Sequence, residues 1–229
     1  MRELTVVAGA AGSLGRAVVE VLAAGTTTVV AVGRPGFEEV AEPTSGKRGA
    51  VVRLGADLID PDSVASLWRR IDGLGEVVAA VNLVGGFQVG TVADTTWPTY
   101  RESLQVNLDS AWLACREAAP RLAQRGAGAI VNVSSRAARV AGAQSAAYAV
   151  AKAGVVRLTE VLAAELAPHR VRVNAVLPSV IDTPSNRDRR GGDSTRAVPP
   201  QAIARVIAFL LGPDGWPISG GAIPVYGWS

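Results

Sequence analysis

The sequence predicts an α/β chain, a doubly wound parallel sheet of about seven strands with helices on both faces. Three observations carry this. Short apolar runs alternate with helical stretches from end to end. Those runs lack the period-two polarity of a half-exposed strand, as expected where both sheet faces are covered. The 48% hydrophobic content is mostly Ala and Val, with only 5% aromatic residues, a mixture suited to helices packed closely on a buried sheet.

Leu4–Ala8 is the first apolar β run and ends in a glycine-rich turn, after which Ser13–Ala24 reads as a helix closed by Gly25. Thr28–Val32 is the second strand, stopped by Gly33-Arg34-Pro35-Gly36. In Phe37–Gly49, Pro43, Ser45 and Gly46 argue against a long helix. Ala50–Leu54 is strand three. Asp60-Pro61 opens a helix over Asp62–Ile71, because proline suits a first turn whose amide needs no partner. Val77–Val84 is strand four, and a long helical stretch covers Thr95–Gln124, bent or interrupted near Pro120. Ala129–Ser134 is strand five, Ser145–Ala167 a long helix and Val171–Val176 strand six. Pro184–Pro200, rich in Gly, Pro and Arg, reads as a mobile loop, Pro200–Leu211 as a helix and Ala222–Tyr226 as the last strand. No repeat or linker divides the 229 residues, so a single domain over 1–229 is expected.

Composition excludes several function classes. No apolar run is long enough to cross a bilayer, and Leu4–Ala11 is too short for a secretory leader; a cytoplasmic protein without a membrane partner is expected. Net charge is +3, but Arg187, Arg189 and Arg190 are interleaved with Asp188 and Asp193 and lack nearby aromatics, which makes a poor nucleic-acid surface. The lone Cys115 lies in an apolar helical stretch and reads as a core residue. His169, the only histidine, follows Pro168 near a helix end, and no metal site can be built around it.

The turn Gly9-Ala10-Ala11-Gly12-Ser13-Leu14-Gly15 stands between a strand and a helix. Glycines there let backbone amides and the helix N-terminus approach a pyrophosphate, which the helix dipole also favours. At the end of the second strand an acidic residue would accept from a ribose 2′-hydroxyl, whereas arginine pairs with a 2′-phosphate. This chain has Arg34 and no carboxylate in Val32-Gly33-Arg34, so NADP(H) is expected over NAD(H).

Tyr148 and Lys152 lie four residues apart in Tyr-Ala-Val-Ala-Lys and so share a helix face. A nearby ammonium stabilises tyrosinate and should draw the phenol pKa down into the range useful for acid–base work. Ser135 closes strand five, thirteen residues before Tyr148, with a hydroxyl able to bind a carbonyl or alkoxide oxygen; Ser134 is the alternative.

Together these features resemble the short-chain dehydrogenases/reductases over nearly the whole chain. The family's Thr-Gly-x-x-x-Gly-x-Gly turn maps onto Ala8, Gly9, Ser13 and Gly15, with Ala8 and Ser13 departing from it. The resemblance implies a Rossmann-type fold and a Ser-Tyr-Lys centre at Ser135, Tyr148 and Lys152. Asn107, in Leu104-Gln105-Val106-Asn107, would bend its helix and hold a water linked to the lysine. It assigns Asp57 and Leu58 to the adenine and matches Asn82 and Gly85 to the family's Asn-Asn-Ala-Gly segment. Pro178, Ile181 and Thr183 match the Asn-x-x-x-Pro-Gly-x-x-x-Thr segment, with Ser179 in place of glycine; Ile181 and Thr183 would hold the nicotinamide carboxamide. The implied reaction is hydride transfer between NADP(H) and a ketone, aldehyde or alcohol.

Gly86-Phe87-Gln88, Arg136–Ala147 and Pro184–Pro200 are the expected substrate walls. Phe87, Trp97 and Gln144 are possible contacts, and Arg136 and Arg139 read as solvated surface. The Gly-x-x-Gly-x-Leu-Gly turn and Ile181–Arg187 also resemble dihydropteridine reductases, an alternative that Ser135 and Arg34 disfavour. A dinucleotide-sensing regulator is the alternative of another class, disfavoured because both Tyr148 and Lys152 are kept. The family implies a homodimer or homotetramer pairing Thr95–Gln124 and Ser145–Ala167.

Overall fold

Each apolar run becomes a strand in the computed structural model, which describes residues 1–37, 49–189 and 195–228. The strands are β1 Glu3–Ala8, β2 Thr28–Gly33, β3 Val51–Gly55, β4 Glu76–Asn82, β5 Gly128–Val133, β6 Val171–Pro178 and β7 Ala222–Val225. All neighbours are parallel, in the order β3-β2-β1-β4-β5-β6-β7. The connectivity reverses direction between β1 and β4, and in open parallel sheets a crevice opens beyond the strand C-termini at that point.

The helices are α1 Ser13–Ala23, α2 Pro61–Asp72, α3 Trp97–Leu104, α4 Ser110–Arg125, α5 Ala146–Leu166, α6 Pro184–Arg189 and α7 Pro200–Leu211. Successive strand side chains point to opposite faces, so a uniformly apolar strand feeds two cores. Leu4, Val6, Val30, Val32 and Ile130 pack with Trp68 and Ile71 of α2, Leu122 of α4 and Leu162 of α5. Val7, Val29, Ala31, Val131 and Val176 pack on the other face with Val18 of α1 and Ile203 and Ile207 of α7. None of the described helices is long and apolar enough to cross a membrane.

Two expectations change. The stretch read as one helix from Thr95 is three pieces, with α3 and α4 separated by a π-helical turn, Gln105–Asp109. Pro120 interrupts nothing and lies within continuous α4. The irregularity falls instead at Asn107, where the resemblance implies a bent helix: its side-chain amide donates to Ser103 O at 3.0 Å, taking a carbonyl that a regular helix would give to a backbone amide. The second change concerns Pro184–Pro200, whose start is the short helix α6 and not loop. Thr183 Oγ1 accepts from Asn186 N at 3.3 Å, and Pro184 is preset for a first turn. Residues 190–194 of that segment, and 38–48 of the polar stretch after β2, lie outside the described residues.

Candidate active site

The crevice at the strand C-termini is a cleft of about 1000 Å³. Of the residues singled out by sequence, Gly9, Gly12, Ser13, Leu14, Gly15, Gly85, Asn107, Ser135, Tyr148, Lys152, Pro178, Ile181 and Thr183 all line it.

One end is the turn between β1 and α1. Gly9 has φ +88°, and a side chain there would press on the Leu83–Val84 backbone at 3.1 Å. A Cβ on Gly15 would sit 2.3 Å from Gly9 O and 2.7 Å from the Ala10 backbone, so only glycine lets the helix start this close to the strand. Gly12 is the N-cap of α1 and offers no side-chain acceptor, nor does the first turn carry an acid. By contrast, α2 is capped by Asp60, which accepts from Ser63 N at 2.8 Å. The first amides of α1 are therefore open to an anion in the cleft, and the residues fit a dinucleotide pyrophosphate. Ser13, the departure from glycine, also lines the cleft.

Arg34, Asp57, Leu58 and Asn82 do not line the cleft. Arg34 is exposed just after β2, beside β3, since Gly33 and Gly55 are paired. Asp57 is exposed and Oδ1 accepts from Ile59 N, while Leu58 packs on the core. The Asn82 side chain turns inward: Nδ2 donates to Asn132 Oδ1 at 2.7 Å, and Asn132 Nδ2 donates to Thr159 Oγ1 at 2.9 Å. This buried chain across β4, β5 and α5 is structural and escaped the sequence reading. Its signal was available, for Asn82 and Asn132 are lone polar residues in apolar strands, and they pair in register. Cys115 contacts the same chain, and burial pushes its thiol up to about 12, which leaves it inert.

The other end gathers the tyrosine, the lysine and two serines. Lys152 is only 3% exposed, and its Nζ donates to Val133 O at 3.1 Å. Burial brings its pKa down to about 8. Nζ stands 5.9 Å from the centre of the Tyr148 ring. A Cβ on Gly85 would lie 2.9 Å from Nζ and 2.8 Å from Asn107 Oδ1, so that glycine makes room for both. Asn107 also closes on Gly86: Oδ1 accepts from its amide at 3.1 Å, and Nδ2 donates to its carbonyl at 2.9 Å.

The two serines separate by their bonds. Ser134 is buried and its hydroxyl donates to Lys152 O at 2.7 Å, a commitment to holding α5. Ser135 lines the cleft together with Tyr148, and its Oγ accepts from Ala137 N at 3.2 Å. The expected lowering of the tyrosine pKa is corrected. Burial dominates and pushes Tyr148 up, with the polar Ser135 hydroxyl pulling the other way. Phe87 packs edge-on against the Tyr148 ring at 5.1 Å, whereas Trp97 is exposed and pairs with Tyr100 at 5.4 Å.

At the far side, Ile181 bridges Val198, with Asp182 N and Val180 O making the ladder bonds. The Ile181 amide is thereby left on the opposite, cleft-facing edge. Asn186 and Arg196 also line the cleft, and neither was singled out within the loop reading. Gln144 is exposed outside it, and Arg139 lies 3.9 Å from Glu160. Arg136 lines the cleft and is not free surface.

A family model described as enoyl-(acyl carrier protein) reductase matches residues 9–227. D-threitol dehydrogenase of Mycolicibacterium smegmatis is 31% identical, the match covering 98% of this chain and 92% of the relative. Trans-4-hydroxycyclohexanecarboxylate dehydrogenase of Sinomonas cyclohexanicum is 30% identical over the same shares, 98% and 92%. Among solved structures, a short-chain dehydrogenase/reductase from Burkholderia xenovorans superposes with TM-score 0.86 at 29% identity, covering 98% of this chain and 95% of its own. A protein from Beutenbergia cavernae, described as an NAD(P)-dependent gluconate 5-dehydrogenase and solved with NADP at low occupancy, gives TM-score 0.89 at 30% identity, covering 99% and 96%.

Proposed function

As the chain belongs to the short-chain dehydrogenase/reductase family, we propose that it transfers a hydride between NADP(H) and a small carbonyl or alcohol substrate at a Ser135–Tyr148–Lys152 centre. The observation that carries this reading is one cleft with an uncapped helix N-terminus at one end and Ser135, Tyr148 and Lys152 gathered at the other.

Gly9, Gly12, Ser13, Leu14 and Gly15 would hold the pyrophosphate, and Asp57 and Leu58, beyond β3, the adenine. Gly85, Pro178, Ile181 and Thr183 would enclose the nicotinamide, with Asn82 supporting that wall from behind. The nicotinamide, when bound, supplies or accepts the hydride. Everything else falls to the protein. Tyr148, its pKa raised by burial, holds a proton at neutral pH and can deliver it to a carbonyl oxygen. Ser135 donates to the same oxygen and fixes the reacting carbon. Lys152 brings positive charge beneath the phenol, so the tyrosinate left behind is less costly. Asn107 keeps Gly86 and the π-turn in register behind the lysine. The named relatives act on a tetritol and a hydroxycyclohexanecarboxylate, which supports a secondary alcohol or its ketone as substrate.

Arg34 supports NADP(H): it is exposed at the end of β2, the position facing a ribose 2′-substituent in such folds. Trp112, Val150 and Val161, exposed on α4 and α5, support assembly into a homodimer or homotetramer through those helices.

The test is oxidation of NADPH and NADH against ketones, aldehydes, quinones and quinonoid dihydropterin, with Arg34→Ala beside the wild type. Turnover of a ketone with NADPH is expected. Arg34→Ala should raise KM for NADPH about tenfold or more and leave NADH nearly unaffected, as for loss of a charged phosphate contact. Activity confined to dihydropterin or to NADH would overturn the assignment, and cofactor binding without turnover would point to a sensor.

A further inference from the structure

The basic side chains lining the cleft are Arg136, Lys152 and Arg196, and no carboxylate lines it among the described residues. Lys152 belongs to the reaction centre and Arg196 is exposed. Arg136 is different. It follows Ser135 directly and opens the 3-10 turn Arg136–Ala138. Its guanidinium lies 5.4 Å from the centre of the Tyr226 ring, while its Nε is buried without a hydrogen-bond partner. No ion pair neutralises it among the described residues.

The arrangement beneath it is built. Ser179, the residue standing where the family has glycine, donates through its hydroxyl to Tyr226 O at 3.0 Å and through its amide to Val225 O at 3.2 Å. Tyr226 packs against a small core of Val156, Ala175 and Leu177. The ring is thus fixed by β7 and Ser179, and the cation rests on it. A guanidinium lining the cleft without an ion pair is poorly compensated until an anion pairs with it.

We propose that Arg136 determines specificity by pairing with a carboxylate on the substrate, which makes the substrate a keto acid or its hydroxy acid. The planar fork of a guanidinium matches a carboxylate edge, and one cation matches one negative charge. The neighbouring walls, Phe87, Val140 and Ala141, suit a short carbon chain between that carboxylate and the reacting carbonyl. This rests on the carbonyl reductase reading above.

The experiment compares 4-oxopentanoate and 5-oxohexanoate with their methyl esters, by turnover with NADPH and by calorimetric titration of the cofactor-loaded protein. The acids are expected to be preferred in both readouts. Arg136→Gln should lower the acid-to-ester ratio about tenfold to a hundredfold, chiefly through KM, and Arg136→Lys should restore part of it. Equal treatment of acids and esters by the wild type, or equal losses in Arg136→Gln, overturns the proposal. So does a matching loss of NADPH affinity, which would put the cation on the cofactor. Ester turnover without acid preference removes this inference and leaves the reductase standing. Acid binding through Arg136 with no turnover of either does the reverse.

Discussion

Lys152 is held as an ammonium in a place that resists charge. It is 3% exposed, and its Nζ donates to the Val133 carbonyl. Its pKa falls from 10.5 to about 8 on burial. Between those values the unfolded chain keeps a proton that the folded chain has lost, so stability rises as pH climbs through that window. Below about 8 both states are protonated and the desolvation cost is complete, on the order of 3 kcal/mol. Lys152→Met should therefore melt about 5 °C higher than the wild-type apoprotein at pH 7, with the gap closing toward pH 10. Calorimetric scans at several pH values check this, and a less stable variant at pH 7 would contradict the burial argument. Tyr148→Phe keeps the ring that packs on Phe87 and removes only the hydroxyl. We expect kcat to fall about 10²- to 10⁴-fold with cofactor affinity nearly unchanged. Single-turnover rates and fluorescence titration with NADPH separate the two effects.

At the scale of elements, the start of α1 and the π-turn decide what the cleft can hold. Gly15→Ala would drive a Cβ into the Gly9 and Ala10 backbone, whereas at Gly12 the nearest atom is 3.7 Å away. Gly15→Ala should cost about 1–3 kcal/mol and weaken NADPH binding, while Gly12→Ala leaves stability nearly unchanged. Denaturant titration and cofactor titration of the pair test that contrast. Elements were legible where their signals are local. Asp60-Pro61 announces α2, and the glycine turn announces α1. The bend at Asn107 came only through the family resemblance, because part of its cause, the pair of bonds to Gly86, crosses the fold. Pro120 misled for a related reason. A proline removes one helical bond, about 3 kcal/mol by propensity, and α4 packed through Leu113, Ala118 and Leu122 is held regardless.

At the scale of the molecule, some apolar side chains of α4 and α5 stay outside the core. Trp112 of α4 is 57% exposed and Val161 of α5 46%. If these helices pair two copies, Trp112→Glu combined with Val161→Glu places charge in the contact and should shift the protein to monomers at micromolar concentration. Light scattering on a sizing column reads the mass, and an unchanged assembly would locate the contact elsewhere.

Local pattern suffices for the parallel sheet, the glycine turn and the four-residue step from Tyr148 to Lys152. Each is a local pattern whose periodicity or conformational demand survives in any context. Tertiary structure decided the rest. Ser134 and Ser135 are neighbours of one kind, and only the Lys152 carbonyl of α5 packed against it takes the first out of use. Asn82 resembles a cleft residue by spacing, yet the matching asparagine on β5 turns it inward. Arg136 looks like surface until Tyr226, ninety residues away, comes beneath it. The direction of the Tyr148 shift followed the same rule, because desolvation sums over everything the fold packs around a group, and no short stretch of chain contains that sum.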